Sequence, residues 1–243
     1  MADDGGRGAM VDSLVHEAGG DLEAERVARA MRAVPREPFV PEDERAYLDR
    51  PFRHRGTRVL APSSAARLLA ALDPRPGDDV LVVGAGVGYT VAVVADVVGA
   101  RHTHAVDIDR RLVYDARSNL AEAGYGAVLV DRGDGAEGLP TYAPFDRVLV
   151  EAAAVRPPAA LLDQVAPGGR LVLPEGVGAP TLTAYEGGEP VADFGSLELD
   201  PLLVEGEQAG AVERNRTARE ERERAAREAE TRAGWEQDWL DWD

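Results

Sequence analysis

The chain has 243 residues, 44% of them apolar, enough for one α/β domain or a core domain with an appendage. It contains no cysteine, and its four histidines show no metal-ligand spacing, so disulfide scaffolds, thiolate zinc sites and cysteine nucleophiles are excluded and no metal is expected. The formal charge is −17 and all 27 basic residues are arginines, which argues against nucleic acid as a partner and suits a salt-rich cytoplasm.

No apolar run reaches the roughly 20 residues of a membrane helix. The opening MADDGGRGAM is acidic and glycine-rich, unlike a secretory leader, so a cytoplasmic protein without membrane contact is expected.

Taken in chain order, residues 10 to 50 read as helices, with Val27, Met31 and Val34 forming an apolar stripe that Pro35 stops. PREPFVPEDERAYLDRP, with four prolines, predicts an irregular lid. Pro62 opens a further helix over SSAARLLAAL, with Ser63 or Ser64 as its N-cap. From Asp78, short apolar runs alternate with helical stretches: DDVLVVG, THAVDID, AVLVD, FDRVLVEA and GGRLVLPE. That alternation predicts a doubly wound, mostly parallel sheet. TLTAYE and SLELDPLLV, on either side of Gly187 and Gly188, are expected to pair antiparallel at one edge. Residues 1–65 then form a helical lid and acceptor-loop region, 66–204 the core, and 205–243 a charged tail. In that tail Glu220–Arg224, Glu223–Arg227 and Glu228–Arg232 stand at i, i+4. Trp235, Trp239 and Trp242 share one helical face, available to dock on the core or on a second subunit.

The strongest chemical signal is VLVVGAGVGYT, in which Gly84, Gly86 and Gly88 end a buried strand and open a helix, with Ala85 between the first two. Glycines let the main chain turn sharply and approach a ligand. The spacing is GxGxG rather than the GxGxxG of dinucleotide sites, which fits a ligand without phosphates. Asp107 ends the next strand about 20 residues on, where an acidic side chain accepts from ribose hydroxyls. Asp109 competes for that role. After the third strand, Asp134 is placed to accept from an adenine amine and Gly135 to let the ring lie on the backbone, although the pair also suits an ordinary turn. Three such elements at successive strand ends indicate an adenosine-containing ligand.

On these residues the chain resembles the class I S-adenosylmethionine-dependent methyltransferases and, within them, the protein-L-isoaspartate O-methyltransferases. AMRAVPREPFVPEDERAYLDRP, GDGAEGLP, APFDRVLVEAAA and LLDQVAPGGRLVLPEG carry the likeness, from about Met10 to about Val204. The resemblance implies a Rossmann-like seven-stranded fold, S-adenosyl-L-methionine as cofactor, and methylation of isoaspartyl carboxylates in damaged proteins or peptides. The lysine-free, acidic composition is that expected of a divergent, haloarchaeal member, and high-GC coding alone also replaces lysine with arginine.

The family's acceptor loop reads approximately GQTISQP or GxTxSAP, whereas this chain has GTRVLAP. Arg58 thus stands at the threonine position and Leu60 at the serine position, making Arg58, Val59, Leu60 and Ser63 the candidate acceptor edge, with no catalytic group assigned. Arg50, Arg53, Arg55 and Arg58, with His54, offer a carboxylate-binding fork or pair with surface acids. Glu151 ends the fourth strand and is expected to be a buried anion or a rim residue. Leu60 leaves two alternatives open: a non-catalytic paralogue that binds the cofactor, and a methyltransferase for another acceptor.

Overall fold

A computed structural model gives the fold and describes residues 4–18, 22–40 and 46–203. Two helices lead, α1 (Asp4–Ala18) and α2 (Leu22–Ala33), followed by a single 3-10 turn at Glu37–Phe39. A small antiparallel hairpin then joins β1 (Phe52–His54) to β2 (Thr57–Val59). After α3 (Pro62–Leu72) the chain alternates through β3 (Val80–Val83), α4 (Tyr89–Val98), β4 (Thr103–Asp107), α5 (Arg110–Glu122), β5 (Leu129–Arg132), β6 (Phe145–Val150) and α6 (Ala159–Leu162). It closes with β7 (Val165–Glu175), β8 (Thr181–Glu186) and β9 (Glu189–Ser196).

The seven larger strands make one sheet in the order β5-β4-β3-β6-β7-β8-β9. The first five run parallel; β8 and β9 are added antiparallel. Every residue of β3 is buried because both sheet faces are covered, which is why VLVV reads as a continuous apolar run. Val80, Val82, Ala105 and Leu149 pack with α1 to α5 on one side. Leu81, Val83, Val106, Val148 and Val150 pack on the other with Phe145, Leu161 of α6 and Leu202. Val27, Met31 and Val34 are buried, as their helical spacing predicts.

Two local expectations are corrected. Neither Ser63 nor Ser64 caps α3: the N-cap is Ala61, Pro62 occupies the first turn, and the Asp49 carboxylate accepts from the Ser63 amide at 2.9 Å. The lid segment thus supplies the cap from 14 residues upstream. The outermost strand is EPVADFGS, not SLELDPLLV. Gly187 and Gly188 do form the hairpin turn, at positive φ, but pairing starts at once with Glu186 opposite Glu189. The SLELDPLLV segment instead turns back over the sheet, where the Leu202 amide donates to the Ala153 carbonyl at 2.8 Å. No helix among the described residues is long and apolar enough to cross a membrane. The tryptophan-bearing tail, 205–243, lies outside the described residues.

Candidate active site

The strand order reverses between β3 and β6, and there a cavity of about 540 Å³ opens over the carboxyl ends of β3, β4 and β6. Its size falls within the roughly 300–1,000 Å³ of small-molecule sites, and its position is the usual ligand crevice of open α/β sheets. Gly84, Gly86, Asp107, Asp109, Gly135 and Glu151 all line it.

Its floor is tied together by Asp107. This carboxylate is 7% exposed and accepts from the Gly86 amide at 2.9 Å and from the Asp109 amide at 3.0 Å. The same side chain therefore fixes the glycine turn and the start of the next loop. Burial pushes its pKa up from the ordinary value, opposed by those two amide bonds. The glycine turn is also anchored by Gly84 and Ala85, whose amides donate to the Val106 carbonyl at 2.8 and 3.2 Å. Gly86 holds φ 54° on the cavity wall, whereas Gly88 serves as the N-cap of α4. A Cβ at Gly88 would sit 3.3–3.4 Å from Leu120, Ala116 and Phe39, so this glycine admits helix packing rather than a ligand.

Of the adenine candidates, Gly135 lines the cavity and makes the closest approach: a Cβ there would lie 2.6 Å from Val83 Cγ1. The Asp134 carboxylate accepts from the Ala136 amide at 2.9 Å, building the turn that presents Gly135. Asp109 caps α5 by accepting from the Arg111 amide at 2.7 Å.

The β1–β2 hairpin forms the rim, and its arginines are engaged with acids. Arg53 forks Asp200 at 3.0 and 3.4 Å, and Arg55 forks Asp115 at 2.5 and 3.3 Å, with His54 also on Asp115 at 2.8 Å. Arg58 places its amide 3.1 Å and its guanidinium 4.0 Å from Asp200. Arg50 lies over the Phe52 ring instead. Asp200 and Asp115 were not singled out from sequence; only the folded chain brings them to the hairpin.

Among the acceptor-edge candidates only Arg58 lines the cavity. Val59 and Leu60 are 4% and 6% exposed and belong to the helix-side core, and Ser63 lines a separate apolar groove with Val11 and Met31. The inward side of β2 and the first turn of α3 face the core, which takes these side chains away from the cavity. Restoring the family's hydroxyl with Leu60→Ser is therefore expected to destabilise the fold by about 2–5 kcal/mol without raising turnover, as thermal melts and rate assays on the variant will read.

The loop is held from beneath by Arg36, which is fully buried. Its Nη2 donates to the Leu60 carbonyl at 2.7 Å and its guanidinium lies 4.6 Å over the Tyr89 ring. Its Nε and Nη1 have no hydrogen-bond partner among the described residues. The sequence signal was available: an arginine enclosed by two prolines in PREPF.

Glu151 follows β6, its amide donating to the Val83 carbonyl at 2.8 Å. Its carboxyl is pushed up to about 8, chiefly by burial and then by the Asp107 charge, with Thr90 and Arg36 acting in the opposite direction. The shift favours the neutral acid over the buried anion, which was one of the two expectations from sequence; the other, a residue on the cavity wall, agrees with its position.

A profile of the protein-L-isoaspartate(D-aspartate) O-methyltransferase family matches residues 8–186. Two curated relatives bear the name protein-L-isoaspartate O-methyltransferase. The one from Aeropyrum pernix is 46% identical over 179 residues, covering 71% of this chain and 67% of its own. The one from Methanopyrus kandleri is 47% identical over 163 residues, covering 65% and 72%. Among solved structures, a protein-L-isoaspartate O-methyltransferase superposes with a TM-score of 0.70 at 23% identity, covering 80% of this chain and 65% of the other. A Plasmodium falciparum chain described as a beta-aspartate methyltransferase, solved with S-adenosyl-L-homocysteine, gives 0.69 at 20% identity, covering 81% and 97%. These two likenesses establish a shared fold, and the profile and curated relatives establish kinship. The chain belongs to the protein-L-isoaspartate(D-aspartate) O-methyltransferase family.

Proposed function

We infer that this protein is an S-adenosylmethionine-dependent O-methyltransferase that esterifies the carboxylate of isoaspartyl residues in damaged proteins or peptides. The observation that carries the reading is the switch-point cavity, whose floor is a glycine turn lashed to Asp107, in a chain of this family. The residues present fit a nucleoside ligand. Each Asp107 oxygen accepts one amide bond and keeps lone-pair capacity for a ribose hydroxyl. Gly84 and Gly86 line the turn beside which the rest of the ligand would lie, with Ala85 anchoring it to Val106 and Gly88 seating the helix behind it. Gly135 puts bare main chain on the cavity wall beside which an adenine ring would lie, its missing Cβ admitting Val83 and Leu202, with Asp134 holding that turn.

When bound, the cofactor supplies a sulfonium methyl that an ionised carboxylate oxygen takes up with its own electron pair, so that no base is needed. The chain's contribution is positioning and exclusion of water. Arg36 fixes the main chain of residues 59–61 through the Leu60 carbonyl. The hairpin closes the cavity through its arginine–aspartate pairs.

Leu60 gives the non-catalytic reading no support, because its side chain does not enter the cavity. A nucleic-acid acceptor is disfavoured by the −17 charge. The same charge, carried without lysine, suits work in a cytoplasm of high salt. The test is transfer of a labelled methyl group to an isoaspartyl peptide and to its aspartyl counterpart. Labelling of the isoaspartyl peptide alone, rising from dilute to molar potassium chloride, is the expected result. Donor binding without labelling of either peptide would overturn the reading.

A further inference from the structure

The cavity is polarised from one end to the other. Asp107 and Asp109 stand where β4 ends, while Arg53, Arg55 and Arg58 line the same cavity from the hairpin. A cationic methyl donor and an anionic acceptor sort along that gradient, the first toward the acids and the second toward the arginines.

The arginine end already holds a carboxylate. Asp200 Oδ2 accepts from Arg53 Nη1 at 3.0 Å and from the main-chain amide of Arg58 at 3.1 Å. Its Oδ1 accepts from Arg53 Nη2 at 3.4 Å, and Arg58 Nε stands 4.0 Å away. One planar fork, one main-chain amide and a second guanidinium thus converge on a single acid. Neither arginine has another acidic partner among the described residues, so two cations face one anion.

Asp200 is also replaceable. Its side chain is 34% exposed and lines the cavity, within reach of an incoming group. The hairpin keeps its place without it: Arg55 and His54 hold Asp115 at 2.5 and 2.8 Å, and Val59 is buried in the core. A partly exposed ion pair is weak, so a second carboxylate can exchange into it.

We propose that the Arg53–Arg58 pocket is the receptor for the isoaspartyl α-carboxylate, and that Asp200 occupies it as an internal stand-in that the substrate displaces. The proposal rests on the isoaspartyl reading and names the side chains that receive that substrate. An isoaspartyl residue has one free carboxylate, because its chain runs through the side-chain carboxyl, so the group held is the group methylated. A carboxylate offers about four lone-pair directions; the fork takes one on each oxygen and the amide a third, which leaves the fourth for the methyl carbon. The oxygen–methyl bond forms as the methyl–sulfur bond breaks, and that pair stays on sulfur as a neutral thioether. The ester is uncharged, so the arginines lose their anion and Asp200 returns to displace the product. Because the acceptor sheds its charge along this path, the arginine contacts are strongest before reaction, and their effect falls on KM rather than on kcat.

The experiment measures kcat and KM for an isoaspartyl peptide at fixed potassium chloride in the wild type, Asp200→Asn, Arg53→Gln and the double variant. Donor Kd and Tm are followed in parallel. Asp200→Asn removes the competing charge and keeps an acceptor for the hairpin, so KM is expected to fall about two- to fivefold, the size of a partly exposed ion pair. Arg53→Gln removes the fork and is expected to raise KM about tenfold. In the double variant the gain from Asp200→Asn is expected to vanish, since there is no fork left to vacate. Opposite signs mark an exchangeable stand-in, whereas a mere clasp on the hairpin raises KM in both single variants. A peptide carrying a carboxamide in place of the α-carboxylate gives a readout on the wild type alone. Its inhibition constant is expected at least about tenfold above the KM of the acid. An unchanged or raised KM in Asp200→Asn, or a carboxamide that binds as tightly as the acid, overturns the exchange while leaving isoaspartyl methylation intact. If the wild type binds the donor and methylates no isoaspartyl peptide, the functional reading falls, and the receptor with it.

Discussion

Asp107→Ala is expected to weaken S-adenosylmethionine binding by about two to four decades in Kd, measured by titration calorimetry on folded protein. Three contributions add. The Gly86 and Asp109 amides lose their acceptor, which costs the free and the bound protein alike and lowers affinity through the loops they position. A ribose hydroxyl loses a charge-assisted partner, worth about 1.5–3 kcal/mol. The glycine turn also loses the cross-link that holds it open to the ligand. Asp107→Asn keeps one carbonyl acceptor and is expected to lose roughly a tenth to a third as much in decades as Asp107→Ala. Equal, undiminished affinity in both variants would show that the nucleoside does not lie over β4.

Arg36→Ala is expected to lower stability by about 3–5 kcal/mol, the range for breaking a buried charged contact, and therefore Tm by roughly 6–20 °C. The Leu60 carbonyl loses the Arg36 donor, the Tyr89 ring loses its cation, and a void opens beneath the acceptor loop. Arg36→Met separates packing from charge. Methionine keeps much of the stem over Tyr89 and leaves no buried charge, so it should recover about half of the stability. Its rate should stay low, because residues 59–61 still lack their anchor. Arg36 also favours the charged form of Glu151, so removing it moves that carboxyl further upward. Melts and rate assays on the two variants test the recovery of stability and the loss of rate.

Much of the cavity floor was legible in the sequence because it is built locally. The glycine turn, Asp107 and Gly135 each follow directly on a strand whose apolar run announces it, and the parallel topology puts those strand ends side by side. The outer edge was misread for an equally physical reason. In SLELDPLLV the leucines alternate as in a strand, but Leu197 and Leu199 pack with the helix-side core and Leu202 with the opposite one, whereas EPVADFGS pairs by main-chain bonds while nearly all its side chains face solvent. The acceptor side depends on contacts remote in sequence. Arg36 meets Leu60 across 24 residues, and Arg53 meets Asp200 across 147. A motif shows which side chain stands at position 60; only the packing of β2 shows that it points inward. Glu151 could be placed at a strand end from sequence, but the upward shift of its carboxyl follows from burial and the Asp107 charge, opposed by Thr90 and Arg36, groups that belong to three separate elements.

The pairing of the hairpin with Asp200 also orders events at the ribosome. Translation delivers residues 52–59 early and Asp200 nearly last among the described residues, so a growing chain has its glycine turn and Asp107 well before its entrance is fastened. The cavity itself also waits for Glu151, Gly178 and the segment from Asp200 to Leu203, so its floor is synthesised long before its walls. Turnover is thereby deferred until the sheet's antiparallel edge has been made and the strand-like leucine segment has folded back.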